Sequence, residues 1–176
     1  MTLSARRVPA GYAVGVAVLL LARPRPEWLP LAALLLGAGE AVRLWASGHI
    51  EKTERLATGG PYAHTRNPLY LGSLLLALGV GVAVASPWAV ALVALYFAVF
   101  YPAVVKEEAA FLRERFGAEY AEWERAVPLF VPRLTPAGPR RSHFAWSRVR
   151  RNREWHTAAA LPLLFAVLVL WARWQG

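Results

Sequence analysis

Apolar residues along the chain gather into five long runs separated by short polar or proline-containing segments. The first covers about Val8 to Ala22 behind Arg6 and Arg7, and the second Trp28 to about Ser47. The third and fourth, Leu69 to Ala85 and Trp88 to Val105, are parted only by Ser86-Pro87, and the fifth is Trp155 to Trp174. Most have roughly the 17–25 residues that a helix needs to cross the hydrocarbon core, and the first falls slightly short. That first run has the layout of a secretory signal, but Leu20 and Ala22 make a poor cleavage site and further runs follow, so it reads as a retained helix. Ser86 is a good N-cap and Pro87 suits a first helical position, which predicts a tight helical hairpin. After the fourth run, Leu112, Phe116, Tyr120, Trp123 and Val127 recur every three or four positions among Glu and Arg. That period predicts an amphipathic helix docked on the bundle or lying in the interface. The pattern predicts an all-α integral membrane helical bundle, with about five transmembrane helices plus a cytoplasmic amphipathic helix. No internal repeat is visible, and 1–176 reads as a single membrane-embedded domain.

Composition sharpens this picture. The chain has 176 residues, is 57% apolar, and carries 20 basic residues, 11 acidic ones and no cysteine. These values exclude intrinsic disorder, a disulfide scaffold, cysteine-ligated zinc and a thiol nucleophile. A net charge of +9 would suit nucleic acid in a soluble chain, but here basic loops on one membrane face explain it and no nucleic-acid partner is expected. With five spans, Arg6, Arg7, Lys52, Arg55, Arg66 and the basic residues from Lys106 to Arg153 share one face, against Arg23, Arg25 and Arg173 on the other. The positive-inside rule places the 48–68 loop and the 106–154 segment in the cytoplasm. Alanine, arginine and leucine are abundant while lysine is scarce, which points to a GC-rich prokaryote and hence its inner membrane.

Some residues exceed what a plain anchor needs. Glu40 and Arg43 lie one helical turn apart near the cytoplasmic end of the second span. Ionisable groups at that depth mark a site by default, the plainer alternative being an intrahelical ion pair that snorkels. In GGPYAHTRNPLYLG, Gly59 to Gly72, the Asn67-Pro68 step predicts a helix start whose free N–H groups, with Arg66 beside them, attract an anion. Tyr62 and Tyr70 supply flat amphipathic walls. Pro102 is expected to bend the fourth span just before Lys106-Glu107-Glu108, where two adjacent carboxylates could accept from a cationic or hydroxylated ligand. The four histidines show no metal-ligand spacing, so no metal is expected. There is no P-loop, and Gly79-Val80-Gly81 lies mid-span with no strand before it, which argues against a Rossmann fold.

Taken in order, these features resemble the isoprenylcysteine carboxyl methyltransferase family, within the integral-membrane methyltransferases that include phospholipid N-methyltransferases. The matching residues are Gly39-Glu40-x-x-Arg43, Leu56-x-Thr58-x-Gly60-Pro61-Tyr62, Arg66-Asn67-Pro68-x-Tyr70-x-Gly72, Glu107-Glu108, Phe116-Gly117-x-Glu119-Tyr120 and Val127-Pro128. They span about residues 39–132, leaving a basic linker and an extra span over 133–176 to which the resemblance assigns no role. It implies an enzyme that transfers a methyl group from S-adenosylmethionine to a lipidic or amphiphilic acceptor reaching it from the bilayer. Leu56, Thr58, Gly60, Tyr62, Arg66, Asn67, Pro68, Tyr70, Gly72, Glu107 and Glu108 would surround the cofactor. Arg43 would face the acceptor with Glu40 beside it. The family motif usually reads Arg-His-Pro; Asn67 can still donate to a carboxylate but cannot shuttle a proton.

The chemistry of these side chains accords with such a cofactor. A helix start with Arg66 suits its carboxylate, and Glu107 and Glu108 suit its amine or ribose hydroxyls. Methyl transfer is an in-line displacement, so positioning and water exclusion could supply much of the catalysis, worth ~7–11 kcal/mol when geometry is well held. Arg43 could orient a carboxylate acceptor, and the residues alone leave the choice of acceptor open. An amine acceptor would need Glu40 or a loop glutamate as base. More distant readings are a sterol-reductase-like enzyme using NADPH, and a non-enzymatic anchor whose basic linker binds anionic lipid.

Overall fold

A computed structural model of the chain describes residues 3–51, 54–138 and 142–175. Lys52, Arg140 and Arg141, counted above among the basic loop residues, lie outside them. Among the described residues, the α-helices follow in order: α1 (Leu3–Leu20), α2 (Leu29–Ser47), α3 (Pro68–Ala83), α4 (Pro87–Ala126), α5 (Trp146–Arg151) and α6 (Trp155–Gln175). The all-α class read from the sequence is what the chain adopts.

Among the described residues, three segments are long and apolar enough to cross a membrane: Pro26–Ser47, Pro87–Ala126 and Trp155–Trp174. Five were expected. α3 is equally apolar in character but has 16 residues, and Arg6 and Arg7 in the first turns of α1 shorten its apolar stretch. In the most apolar window of α4 only 6% is buried within the protein, and α6 exposes Leu163, Val167 and Leu170. Apolar surface of that extent is stable only when lipid covers it, so the chain is an integral membrane protein.

The α3–α4 hairpin forms where Ser86-Pro87 predicted it. The Ala89 N–H donates to Ser86 Oγ at 3.4 Å, and Ala85 turns the chain with φ 50°. The fourth span and the amphipathic helix are continuous as α4, and the helix runs through Pro102. Its break falls at Gly117 instead (φ 47°, ψ −117°), a left-handed conformation that costs glycine little.

The chain divides into two compact units. The first comprises residues 1–38, 74–107 and 159–176. Its core is built from small side chains, among them Ala22, Ala32, Ala83, Val84 and Ala89, with Val18 and Leu168. The second comprises residues 39–73 and 108–158. Its core is aromatic: Tyr62, Tyr120 and Trp123 pack with Leu56, Ala46 and Val127, and Leu112 and Phe116 close around them. The predicted apolar stripe of the amphipathic helix is thus the face that packs in this core. Nearly all the sequence-predicted site residues fall in the second unit; Glu107, which is exposed, falls in the first.

Candidate functional site

The backbone of the loop before α3 is tied to the segment after α4. A single 3-10 turn, Gly60–Ala63, buries Pro61, Tyr62 and Ala63. Trp123 Nε1–H donates to the Tyr62 carbonyl at 2.9 Å, and the Arg66 N–H donates to Pro128 O at 2.9 Å. The Ala137 N–H reaches Ala63 O, the Arg133 N–H reaches His64 O, and the Thr65 hydroxyl faces the Leu129 and Phe130 carbonyls. Asn67 marks the start of α3 as predicted, its carbonyl accepting from the Tyr70 and Leu71 N–H groups. Its side-chain amide donates to Leu129 O at 2.9 Å and so clamps the same segment. Leu56 and Thr58 are wholly buried beneath the loop, and Pro68 opens α3 from a buried position.

On this frame, Tyr70 donates its hydroxyl proton to Glu108 at 2.6 Å. Burial holds the Tyr62 hydroxyl proton well above its ordinary pKa, and Glu108 and Tyr70 nearby add to the effect, so Tyr62 is a neutral donor at any physiological pH. Arg66 is not the free cation that the sequence suggested. Its Nη1 binds Glu124 at 2.5 Å, and Arg113 binds the same carboxylate at 2.9 Å. Arg66 Nε remains buried without a hydrogen-bond partner, a donor still in need of an acceptor.

Glu40 and Arg43 do not satisfy one another. Arg43 Nε donates to Glu154 Oε1 at 2.6 Å and Nη1 to Ser73 Oγ at 2.5 Å. Both carboxylate oxygens of Glu40 are buried with no hydrogen-bond partner. Gly72 permits this arrangement, since a Cβ there would sit 2.5 Å from Arg43 Cγ and 2.8 Å from the Gly39 carbonyl.

Sequence reasoning missed Glu154, Ser73 and Glu124. The signal for Glu154 was available: it is the sole acidic residue after Glu124, set directly behind Arg148, Arg150, Arg151 and Arg153 at the start of an apolar helix. Among the described residues, no group of three or more His, Asp or Glu side chains could hold a metal ion.

His49 is buried at 5% exposure, with ring Nδ1–H facing the Trp45 carbonyl at 2.9 Å. Burial, with Arg148 and His143 nearby, holds its pKa below 6.5. The unfolded chain therefore takes up a proton first, so stability is fully present above about pH 6.5 and falls as pH drops towards the folded-state pKa. Thermal unfolding of the detergent-solubilised protein is expected to show a melting temperature that declines across this range. The decline should flatten in His49→Asn, which keeps the donor without the titrating ring.

A phospholipid methyltransferase family profile matches residues 40–119. The cobalt-zinc-cadmium resistance protein CzcN of Cupriavidus metallidurans is 41% identical over 112 residues, covering 62% of this chain and 51% of the relative. The protein-S-isoprenylcysteine O-methyltransferase of Rattus norvegicus is 30% identical over 118 residues, covering 60% and 42%. The likeness to the membrane methyltransferases is shown. The nickel-cobalt-cadmium resistance protein NccN of Alcaligenes xylosoxydans xylosoxydans is also similar, 36% identical over 115 residues that cover 61% of this chain and 54% of that relative. The chain spans about half the length of the resistance proteins it matches. No solved structure shows a significant match.

Proposed function

We propose that this chain is an S-adenosylmethionine-dependent methyltransferase of the prokaryotic inner membrane, with its site on the cytoplasmic side and an amphiphilic acceptor arriving from the bilayer. The observation that supports the reading is Tyr70 holding Glu108 close to Tyr62 and Arg43, within the same unit that carries Arg66 and Glu40. The residues fit the cofactor's polar ends. Arg66 Nε is a buried donor that lacks an acceptor, which a carboxylate would supply. Glu108 is exposed and already oriented by Tyr70, ready to accept from an amine or a hydroxyl. When bound, S-adenosylmethionine supplies an electrophilic methyl carbon on a cationic sulfur. The chain's own contribution is to hold that group, to orient the acceptor and to keep water out.

Two acceptor classes have support. Arg43 retains the Nη2 donors that could orient a carboxylate, which favours O-methylation. Glu40 supports an amine, because its unpartnered oxygens can accept from an acceptor N–H and take its proton.

Calorimetric titration with S-adenosylmethionine, with NADPH as the control, tests the class. Saturable binding of the methyl donor is expected, with Glu108→Ala weakening it by roughly tenfold, as the loss of a charged hydrogen bond implies. Binding of NADPH alone would install the reductase reading, and binding of neither would leave an anchor. Transfer of labelled methyl to N-acetyl-S-farnesylcysteine or to phosphatidylethanolamine then separates the carboxylate from the amine.

A further inference from the structure

We propose that Glu154 is a positioning residue for Arg43, so that the C-terminal segment 142–158 completes the site instead of merely appending a span. This rests on the methyltransferase reading above. The family match ends at residue 119, well before this segment.

The segment is stitched to the end of α2. A helix leaves its last carbonyls without intrahelical donors, and here the C-terminal segment supplies them. Asn152 Nδ2 donates to Ser47 O at 2.9 Å and Ile50 O at 3.2 Å. The Ala145 N–H donates to Gly48 O at 2.9 Å, and Arg148 reaches the same carbonyl while pairing with Glu51. The Gly59 N–H donates to Ser142 Oγ at 2.8 Å. The approach is close: a Cβ on Gly48 would lie inside the Phe144 ring's contact distance, and one on Gly59 would meet the Ser142 carbonyl.

The turn after α5 then aims one side chain inward. The Glu154 N–H donates to Val149 O and the Arg153 N–H to Arg150 O, with Arg153 left-handed at φ 59°. This is a Schellman ending with arginine where glycine is usual. It leaves Arg150, Arg151 and Arg153 exposed and buries Glu154 at 6% exposure. Glu154 and Ser73 hold the guanidinium by Nε and Nη1, fixing its plane and leaving Nη2 for the acceptor. A lysine could not be held this way, because its ammonium has no plane to fix. Glu40 cannot substitute for Glu154, since neither of its oxygens makes a hydrogen bond.

The test uses the full chain in nanodiscs, with labelled S-adenosylmethionine and either N-acetyl-S-farnesylcysteine or phosphatidylethanolamine as acceptor. Glu154→Gln should lower kcat by roughly ten- to a hundredfold with whichever acceptor the wild type methylates, the cost of a slightly misplaced group. Its affinity for S-adenosylmethionine by calorimetry should stay at the wild-type value, and Glu154→Asp should recover part of kcat. A second readout is independent of turnover. In a 15N-arginine spectrum, the Nε–H resonance lost in Arg43→Lys should exchange slowly in the wild type and rapidly in Glu154→Ala. Unchanged kcat in Glu154→Gln, or an Arg43 resonance indifferent to Glu154, overturns the proposal. Wild-type protein that binds S-adenosylmethionine but methylates neither acceptor supports the proposal only if adding acceptor shifts that resonance in the wild type and not in Glu154→Ala; any other pattern overturns it. Wild-type protein that binds no S-adenosylmethionine removes the functional reading, and the positioning role falls with it.

Discussion

Arg43→Ala is expected to lose both turnover and stability, and the two losses have separable causes. Its side chain is 20% exposed and that of Glu154 beside it 7%. Removing the cation leaves Glu154 charged, buried and without its donor, a change that costs about 3–5 kcal/mol when one partner of a buried pair is deleted. Glu40, already without a hydrogen bond, would then share its surroundings with a second uncompensated carboxylate. The double variant Arg43→Ala/Glu154→Ala removes the stranded charge and should melt at a higher temperature than Arg43→Ala alone. Turnover should not recover with it, since the acceptor still lacks its orienting group, and a loss of roughly 10²-fold or more is expected for both. Thermal unfolding by tryptophan fluorescence, run beside the methyl-transfer assay, separates the effects. Equal melting temperatures for the single variant and the wild type would reduce Arg43–Glu154 to a contact without energetic weight.

The parts of the site that are local in sequence were legible there. Tyr62, Asn67, Pro68 and Tyr70 lie within one loop and the helix start that follows it, so turn and cap chemistry alone placed them together. The helical stripe of Tyr120, Trp123 and Val127 was legible for the same reason, because a period of three to four residues is a local property. What escaped were pairings across long separations. Glu154 lies 111 residues from Arg43, and Glu124 lies 58 from Arg66. No spacing rule reaches that far, and a charged residue in a basic linker reads as solvated until the linker's fold is known. The break in α4 was misplaced for a different reason. Proline was expected to interrupt the helix at Pro102, yet the helix runs through it. Gly117 instead adopts a backbone conformation that few other residues take, just ahead of the turns that dock through Tyr120 and Trp123.

The same docking makes Trp123→Ala the substitution with the widest expected consequence. Trp123 is 2% exposed, stands edge-on to Tyr120 at 5.6 Å, and lies at the centre of the second unit's aromatic core. Truncating a buried tryptophan costs about 3–5 kcal/mol through lost transfer energy and the cavity left behind. Here the indole also carries the N–H that holds the Tyr62 carbonyl, so its removal leaves a buried carbonyl unpaired and frees the 3-10 turn beneath the proposed cofactor site. Trp123→Phe largely separates the two contributions: it retains most of the apolar volume and loses the donor. The alanine variant should therefore melt well below wild type and bind S-adenosylmethionine poorly. The phenylalanine variant should melt between the alanine variant and wild type, since leaving one buried carbonyl unpaired costs about 1–3 kcal/mol, yet still show weakened cofactor affinity. If Trp123→Phe binds the cofactor as tightly as wild type, the bond from Trp123 to Tyr62 serves the fold alone, and the loop's order must come from its ties to residues 128–137.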